Sequence, residues 1–269
     1  MVEVQMAPNR ILRERVAGQS AMFQVVSAQH QAQPQSGIGH FFGISPLTVE
    51  ARGWYRGALG ELLVGDVLEN LGQRWDVLHD LPLEHNSLDH LLIGPAGVFT
   101  VRTANVDGMD VVVDDDALVV VGETRHDILL ARMEAVEVSQ ILSAAAGRSI
   151  SVQPLLVVVG SKRLIVRTEV ADVRIITSSD LERALCALPG IMSGDEVAAI
   201  SDVADLDATW PIAGATILDT QKLHRDFSII RATASTALVR RIVWATAATT
   251  VVYISVCSVI ATLVSIMME

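Results

Sequence analysis

From Ile242 to Met268 the chain carries no charged residue, and this run constrains it more than any other feature. As a helix rising about 1.5 Å per residue it reaches roughly 40 Å, enough to cross a hydrocarbon core of about 30 Å with tilt to spare. It is the only run of its kind in the sequence. Trp244 stands near its start, where an indole anchors at a membrane interface. Arg231, Arg240 and Arg241 precede it and only Glu269 follows, so the positive-inside rule places the large N-terminal part in the cytoplasm. The opening residues MVEVQMAPNRILRERV lack the apolar core of a secretory signal, which agrees with that placement. The expectation is a single-pass cell-membrane protein whose membrane partner is the segment Ile242 to Met268. Thr246, Thr249, Thr250, Ser255 and Ala261 are small enough for helix packing there, without a GxxxG pattern.

The remainder suffices for one domain of ordinary size plus an N-terminal extension. A formal net charge of -11 argues against holding nucleic acid by bulk electrostatics, though not against a local basic patch. Of the two cysteines, Cys186 lies in the polar part and Cys257 in the apolar run, so no disulfide is expected and a reducing compartment fits. Lysine is confined to Lys162 and Lys222 against many arginines, with abundant Ala and Val, a composition that points to a GC-rich bacterial genome.

Four segments follow. Residues 1–47 read as a helical and polar extension, an appendage with Ile11, Leu12, Val16, Met22, Phe23 and Val26 as its apolar positions. Residues 48–210 read as the core domain, 211–241 as a helical juxtamembrane linker and 242–268 as the transmembrane helix. The domain opens with a helix from about Thr48 whose stripe of Trp54, Leu59, Leu62, Leu63, Val67 and Leu71 ends at Gly72. Strands are expected at 75–79, 88–93, 98–104 and 117–122, with Gly94-Pro95-Ala96-Gly97 turning a hairpin and Asp114, Asp115 and Asp116 in a solvated turn. A helix over 127–146 leads to a buried strand over 154–159, then a short strand VRIIT. Capping boxes open two further helices, Ser179 with Glu182 and Ser193 with Glu196. The fold class is α/β, a sheet with helices packed against it.

Gly57-Ala58-Leu59-Gly60-Glu61, Leu78-His79-Asp80 and the run from Asp89 through Phe99 together resemble the NERD family, the nuclease-related domain, over roughly residues 50–205. That family is similar to restriction-endonuclease-like nucleases, so the resemblance implies a restriction-endonuclease-like sheet flanked by helices. It also implies a helix carboxylate, a strand carboxylate and an acid-x-lysine pair holding a divalent metal at a phosphate. Carboxylates give such an ion hard oxygen ligands, and the lysine orients or activates water. Glu61 matches the helix acid and Asp89 the strand acid, the two candidate metal ligands. Arg102 and Ala104 stand where the acid and the lysine should be, side by side on one face of the strand after the hairpin. A fixed cation in place of a ligand, and a methyl group in place of an amine, remove half of the metal chemistry. Arg102 is instead expected to pair with Glu61 or Asp89. Lys162 as a migrated lysine, and a separate metal site from His79, Asp80, His85, Asp89 and His90, are weaker readings.

No P-loop, GxSxG, CxxC or dinucleotide fingerprint occurs. The expected function is a membrane-anchored pseudo-nuclease, a degenerate NERD-like module that binds nucleic acid or protein without cutting it and has no confident catalytic residue. One alternative is an active metal-dependent nuclease with a rearranged site; another is a membrane-associated structural or signalling adaptor. No small-molecule cofactor is expected, and Mg or Mn only if the nuclease reading holds.

Overall fold

A computed structural model describes residues 11–32, 36–211 and 219–268. Helix α1 spans Gln19–His30, α2 Gly37–Phe42 and α3 Val49–Glu69. Strands β1 (Asp76–Pro82), β2 (Ser87–Gly94) and β3 (Gly97–Asn105) form an antiparallel meander. Short strands β4 (Asp110–Asp114), β5 (Ala117–Val120) and β6 (Glu123–Arg125) follow, then helix α4 (Asp127–Ala146) and strand β7 (Val152–Val159). After β8 (Arg163–Val166) and β9 (Arg174–Thr177) come α5 (Leu181–Cys186), α6 (Gly194–Ala204) and the long α7 (Thr220–Met267).

The main sheet has the order β1-β2-β3-β7-β9, antiparallel through β3 and parallel from β3 onward. A second sheet, β6-β5-β4-β8, stands beside it. The strands alternate cleanly between two apolar layers, as a sheet covered on both faces must. On one side Phe99, Val101, Leu155 and Val157 meet Val64 and Leu68 of α3 with Leu181 and Leu185 of α5. On the other, Ala104, Leu156 and Val158 meet Ile128 and Ala131 of α4, and Leu91, Ile93 and Val98 meet Val138 and Leu142.

The hairpin expected at Gly94 to Gly97 is present, with those two glycines opposite each other. Both are required: Gly97 has φ +125°, and a Cβ on Gly94 would lie 2.1 Å from the Trp75 ring. Helix α4 has the expected bounds and stops at Gly147 in the left-handed region. The Ser193 to Glu196 capping box forms, but the Ser179 box does not: Asp180 is the N-cap of α5, and the Ser179 hydroxyl bonds Thr177 Oγ1 at 2.8 Å. Of the expected stripe on α3, Leu59, Leu62, Val67 and Leu71 pack against the core while Trp54 and Leu63 lie exposed; Val64 and Leu68 face the sheet, and Ala58 meets α1 and α7.

The N-terminal extension is no appendage. Residues 1–10 lie outside the described residues, but Leu12 is buried among Leu78, Leu81, Ile200 and Trp210, and Arg13 bridges Asp76 at 2.5 Å and Asp205 at 2.7 Å. Met22 and Val25 of α1 are fully buried against Ala58 of α3 and Leu223 and Phe227 of α7. The polar, glycine-bearing part of the extension contains α2, capped by Ser36 and ended by Gly43 at φ +71°.

Helix α7 runs unbroken for 48 residues, so the described part of the linker and the apolar run are one rod. Its portion Thr220–Ala261 is long and apolar enough to cross a membrane. Thr246, Thr249, Thr250 and Ser255 each donate their hydroxyl to the carbonyl four residues back, at 2.8–2.9 Å. Polar groups satisfied within the helix remove the desolvation cost that hydrocarbon would otherwise impose on them.

Candidate functional site

The residues that the family resemblance singles out meet where β2 and β3 part company. Their pairing ends at His90 opposite Val101, and beyond that point the Asp89 side chain replaces the ladder: its Oδ2 accepts the Thr103 backbone N–H at 2.6 Å. Burial pushes the Asp89 carboxyl up to about 6, while the Arg102 charge and the Thr103 N–H pull it down.

Arg102 turns toward α4, and this corrects the expected pairing. Its Nη1 donates to Glu134 Oε1 at 2.6 Å, and its Nε lies 3.5 Å from Asp127 Oδ1. Asn86 Nδ2 donates to the same Glu134 oxygen at 2.9 Å, and Arg125 Nε stands 2.8 Å from Asp127. Glu134 is only 3% exposed, and burial pushes its carboxyl up to about 7 against the pull of Arg102. Burial disfavours the Arg102 charge, but Glu134, Asp89 and Asp127 outweigh it and raise its pKa further. Asp89 and Glu61 feel this cation, yet neither is its hydrogen-bonded partner.

Glu61 approaches from α3, the helix on the opposite face of the sheet from α4. Its carboxyl is raised well above the usual range, first by burial and then by Asp89 and Asp80, with Arg102 opposing. It makes no hydrogen bond or ion pair among the described residues. The N-terminal segment covers it: a Cβ on Gly18 would stand 3.5 Å from the Glu61 Cβ. The same segment closes over Asp80, which is 1% exposed and adopts φ +51°. Asp80 accepts the Ser20 N–H at 3.1 Å and its hydroxyl at 2.9 Å, with the Arg15 guanidinium at 2.9 Å. Burial raises the Asp80 carboxyl and the Ser20 and Arg15 contacts lower it.

Ala104 shares the α4 side of β3 with Arg102, as alternation requires, and is sealed among Val106, Val111, Ile128, Leu156 and Val158. Lys162 lies exposed before β8, beside Asp110, and takes no part in the cluster. The histidine and aspartate grouping does not converge either. His79 and His90 share a proton between their Nδ1 atoms at 2.8 Å, and His79 Nε2 faces Glu69 at 3.1 Å. Burial lowers both imidazoles, with Glu69 opposing at His79; Asp80 and Asp89 are engaged elsewhere, and His85 is exposed.

Among the described residues no three His, Cys, Asp or Glu side chains are grouped to hold a metal ion. At the strand position where the nuclease resemblance implies a metal-binding acid, Arg102 brings a fixed cation paired with Glu134. Arg102 supplies the positive charge, Glu134 and Asp127 face it, and Glu61, from α3, lies within electrostatic reach of Asp89 and Arg102. Sequence reasoning missed Glu134, Asp127 and Arg15. A signal existed for the first two: Asp127 and Glu134 fall on the buried face of α4 with Ile128, Ala131, Val138 and Leu142, where an unpaired charge would be costly.

Residues 56–159 match the family model of the nuclease-related domain, NERD. The match takes in the second half of α3, all strands from β1 to β7 and α4, and so every residue of this cluster except Arg15 and Ser20. No curated protein and no solved structure gave a significant match. The matched segment is thus framed by elements outside it, the N-terminal residues over Glu61 and Asp80, and α7 against α1.

Proposed function

We propose that this chain is a membrane-anchored NERD protein whose nuclease-like cleft has become a binding and structural centre, engaging a nucleic-acid or protein partner without cutting it. The observation that carries this reading is the Arg102 to Glu134 contact at 2.6 Å, at the strand position where the family resemblance calls for a metal-binding acid. An ion pair of this kind satisfies its own charges, and Ala104 offers no amine to act on water. Anchoring rests on the apolar length of α7, and a cytoplasmic domain on Arg240 and Arg241 before the uncharged run.

The test is titration of Mg²⁺ and Mn²⁺ into the detergent-solubilised chain, followed by incubation with plasmid and single-stranded DNA. No cleavage, and no metal binding that depends on Asp89, is the expected result. Metal-dependent cutting abolished by Asp89→Ala would overturn the reading.

One observation favours a second reading, an active nuclease with a rearranged site. Asp89 at about 6 and Glu134 at about 7 titrate near neutrality, as catalytic carboxylates often do. Under that reading Glu134→Gln would abolish cutting along with Asp89→Ala.

A further inference from the structure

Helix α2 and the turn after it expose four large apolar side chains within seven residues: Ile38 is 73% exposed, Phe41 57%, Phe42 47% and Ile44 58%. Such a patch on a soluble surface is costly unless something covers it. Its position along α7 says what does. Trp244 donates its Nε1–H to the Phe41 carbonyl at 3.0 Å, and its ring lies 4.9 Å from Phe41 and 5.3 Å from Phe42. Gly43 is pressed onto the α7 backbone so closely that a Cβ would fall 2.3 Å from the Ala237 carbonyl and 2.5 Å from the Arg241 nitrogen. The Arg240 guanidinium donates to the His40 carbonyl at 3.1 Å. The patch is therefore held at one height, level with Trp244 and one turn beyond Arg240 and Arg241, where the uncharged run begins.

We propose that residues 36–44 form a second membrane contact, a foot whose Ile38, Phe41, Phe42 and Ile44 enter the boundary between headgroups and acyl chains beside the spanning helix. This rests on the reading of α7 as a membrane anchor. The occupant of the patch is an anionic lipid surface. Aromatic and branched side chains suit the acyl boundary, while Arg240, Arg241 and Arg231 suit phosphate headgroups on its aqueous side. Because the apolar surface of α2 is continuous with that of α7, the two enter the bilayer together. A single rod leaves a domain free to tilt over the membrane toward any of its faces. A rod with a foot fixes which face of the NERD domain looks along the membrane and which looks away.

Site-directed spin labelling of the full chain tests this. In a Cys186→Ser, Cys257→Ser background, single labels are placed through Ile38→Cys, Phe42→Cys, Val256→Cys and Glu182→Cys, the last exposed on the domain. The protein is reconstituted in vesicles of phosphatidylcholine with phosphatidylglycerol, and collision rates with oxygen and with a water-soluble nickel chelate are compared. The expected pattern is label 256 deep in lipid, labels 38 and 42 shielded from nickel at the interface, and label 182 fully aqueous. Labels 38 and 42 as open to nickel as label 182, with 256 still in lipid, would overturn the foot and leave the anchor standing. Label 256 in water would overturn the anchor itself and the foot with it.

Discussion

Replacing Arg102 by methionine separates an electrostatic role from a packing role, because its expected cost depends on pH. The Arg102 to Glu134 pair at 2.6 Å carries a gross attraction of about 6 kcal/mol at an effective dielectric of about 20. Loss of one partner of such a pair typically costs ~3–5 kcal/mol, most of it from the stranded charge. Here the stranded charges are carboxylates that can take up protons. With Arg102 in place, Asp89 is already raised from 3.8 to about 6 and Glu134 from 4.5 to about 7. An acid raised in the folded state binds more protons folded than unfolded, so its contribution to stability falls as pH rises from about 4 to the folded value. The rise for Asp89 alone corresponds to about 3 kcal/mol. Arg102→Met lifts both groups further and extends that decline upward. The expected loss is therefore ~3 kcal/mol or more at pH 8 and only ~1 kcal/mol at pH 5, where both carboxyls are protonated. Urea unfolding of the detergent-solubilised chain at the two pH values, followed by near-ultraviolet circular dichroism, measures it. An equal loss at both would refute the claim that this guanidinium serves as the counter-ion of the cluster.

Asp89→Asn keeps an oxygen for the Thr103 N–H and removes a buried negative charge, so at pH 8 it should raise stability by about 1–3 kcal/mol and flatten the pH dependence between about 4 and 6; a lower thermal midpoint at pH 8 would contradict this. Gly94→Ala drives a methyl group into the Trp75 ring, and an overpacking cost of about 2–3 kcal/mol is expected, with a changed tryptophan emission spectrum in the native state. Ser193→Ala removes the hydroxyl half of the capping box on α6 and leaves the backbone N–H of residue 193 on Glu196, and a loss of ~1 kcal/mol should appear in the same urea titration.

The elements legible in the sequence are those whose signals are local. The Gly94 to Gly97 turn, the Thr48 cap of α3 and the Gly147 stop of α4 each depend on a few adjacent residues, and each lies where the sequence puts it. Strands β4, β6 and β8, of three to five residues, went unread, whereas β5 and β9, of four each, showed as the apolar runs ALVVVG and VRIIT. Helix α2 was hidden by Gly37 and Gly39, two poor helix formers in a run of six residues. In the site, Glu61, Asp89 and Arg102 follow from motif spacing, but their partners do not. Glu134 is 32 positions from Arg102 and Arg15 is 65 from Asp80, and those contacts exist only once α4 and the N-terminal segment have packed.

This packing also decides what restoring the family's acid and lysine would do. Arg102→Glu would place a new carboxylate against Glu134 and Asp127 with Asp89 and Glu61 in range, and would remove the cation that moderates them all. Ala104→Lys would push an ammonium into the hydrocarbon formed by Val106, Val111, Ile128, Leu156 and Val158. Each change alone violates its surroundings, the first by like charge and the second by desolvation and volume. The double variant should therefore unfold rather than regain metal-dependent cutting, unless Glu134 is neutralised with it. The acid-x-lysine positions and α4 behave as one adapted unit: Glu134 is the counterpart of Arg102, and the apolar pocket is the counterpart of Ala104. A substitution at either position is therefore expected to need a matching change on α4, at Glu134 for Arg102 and at Ile128 for Ala104.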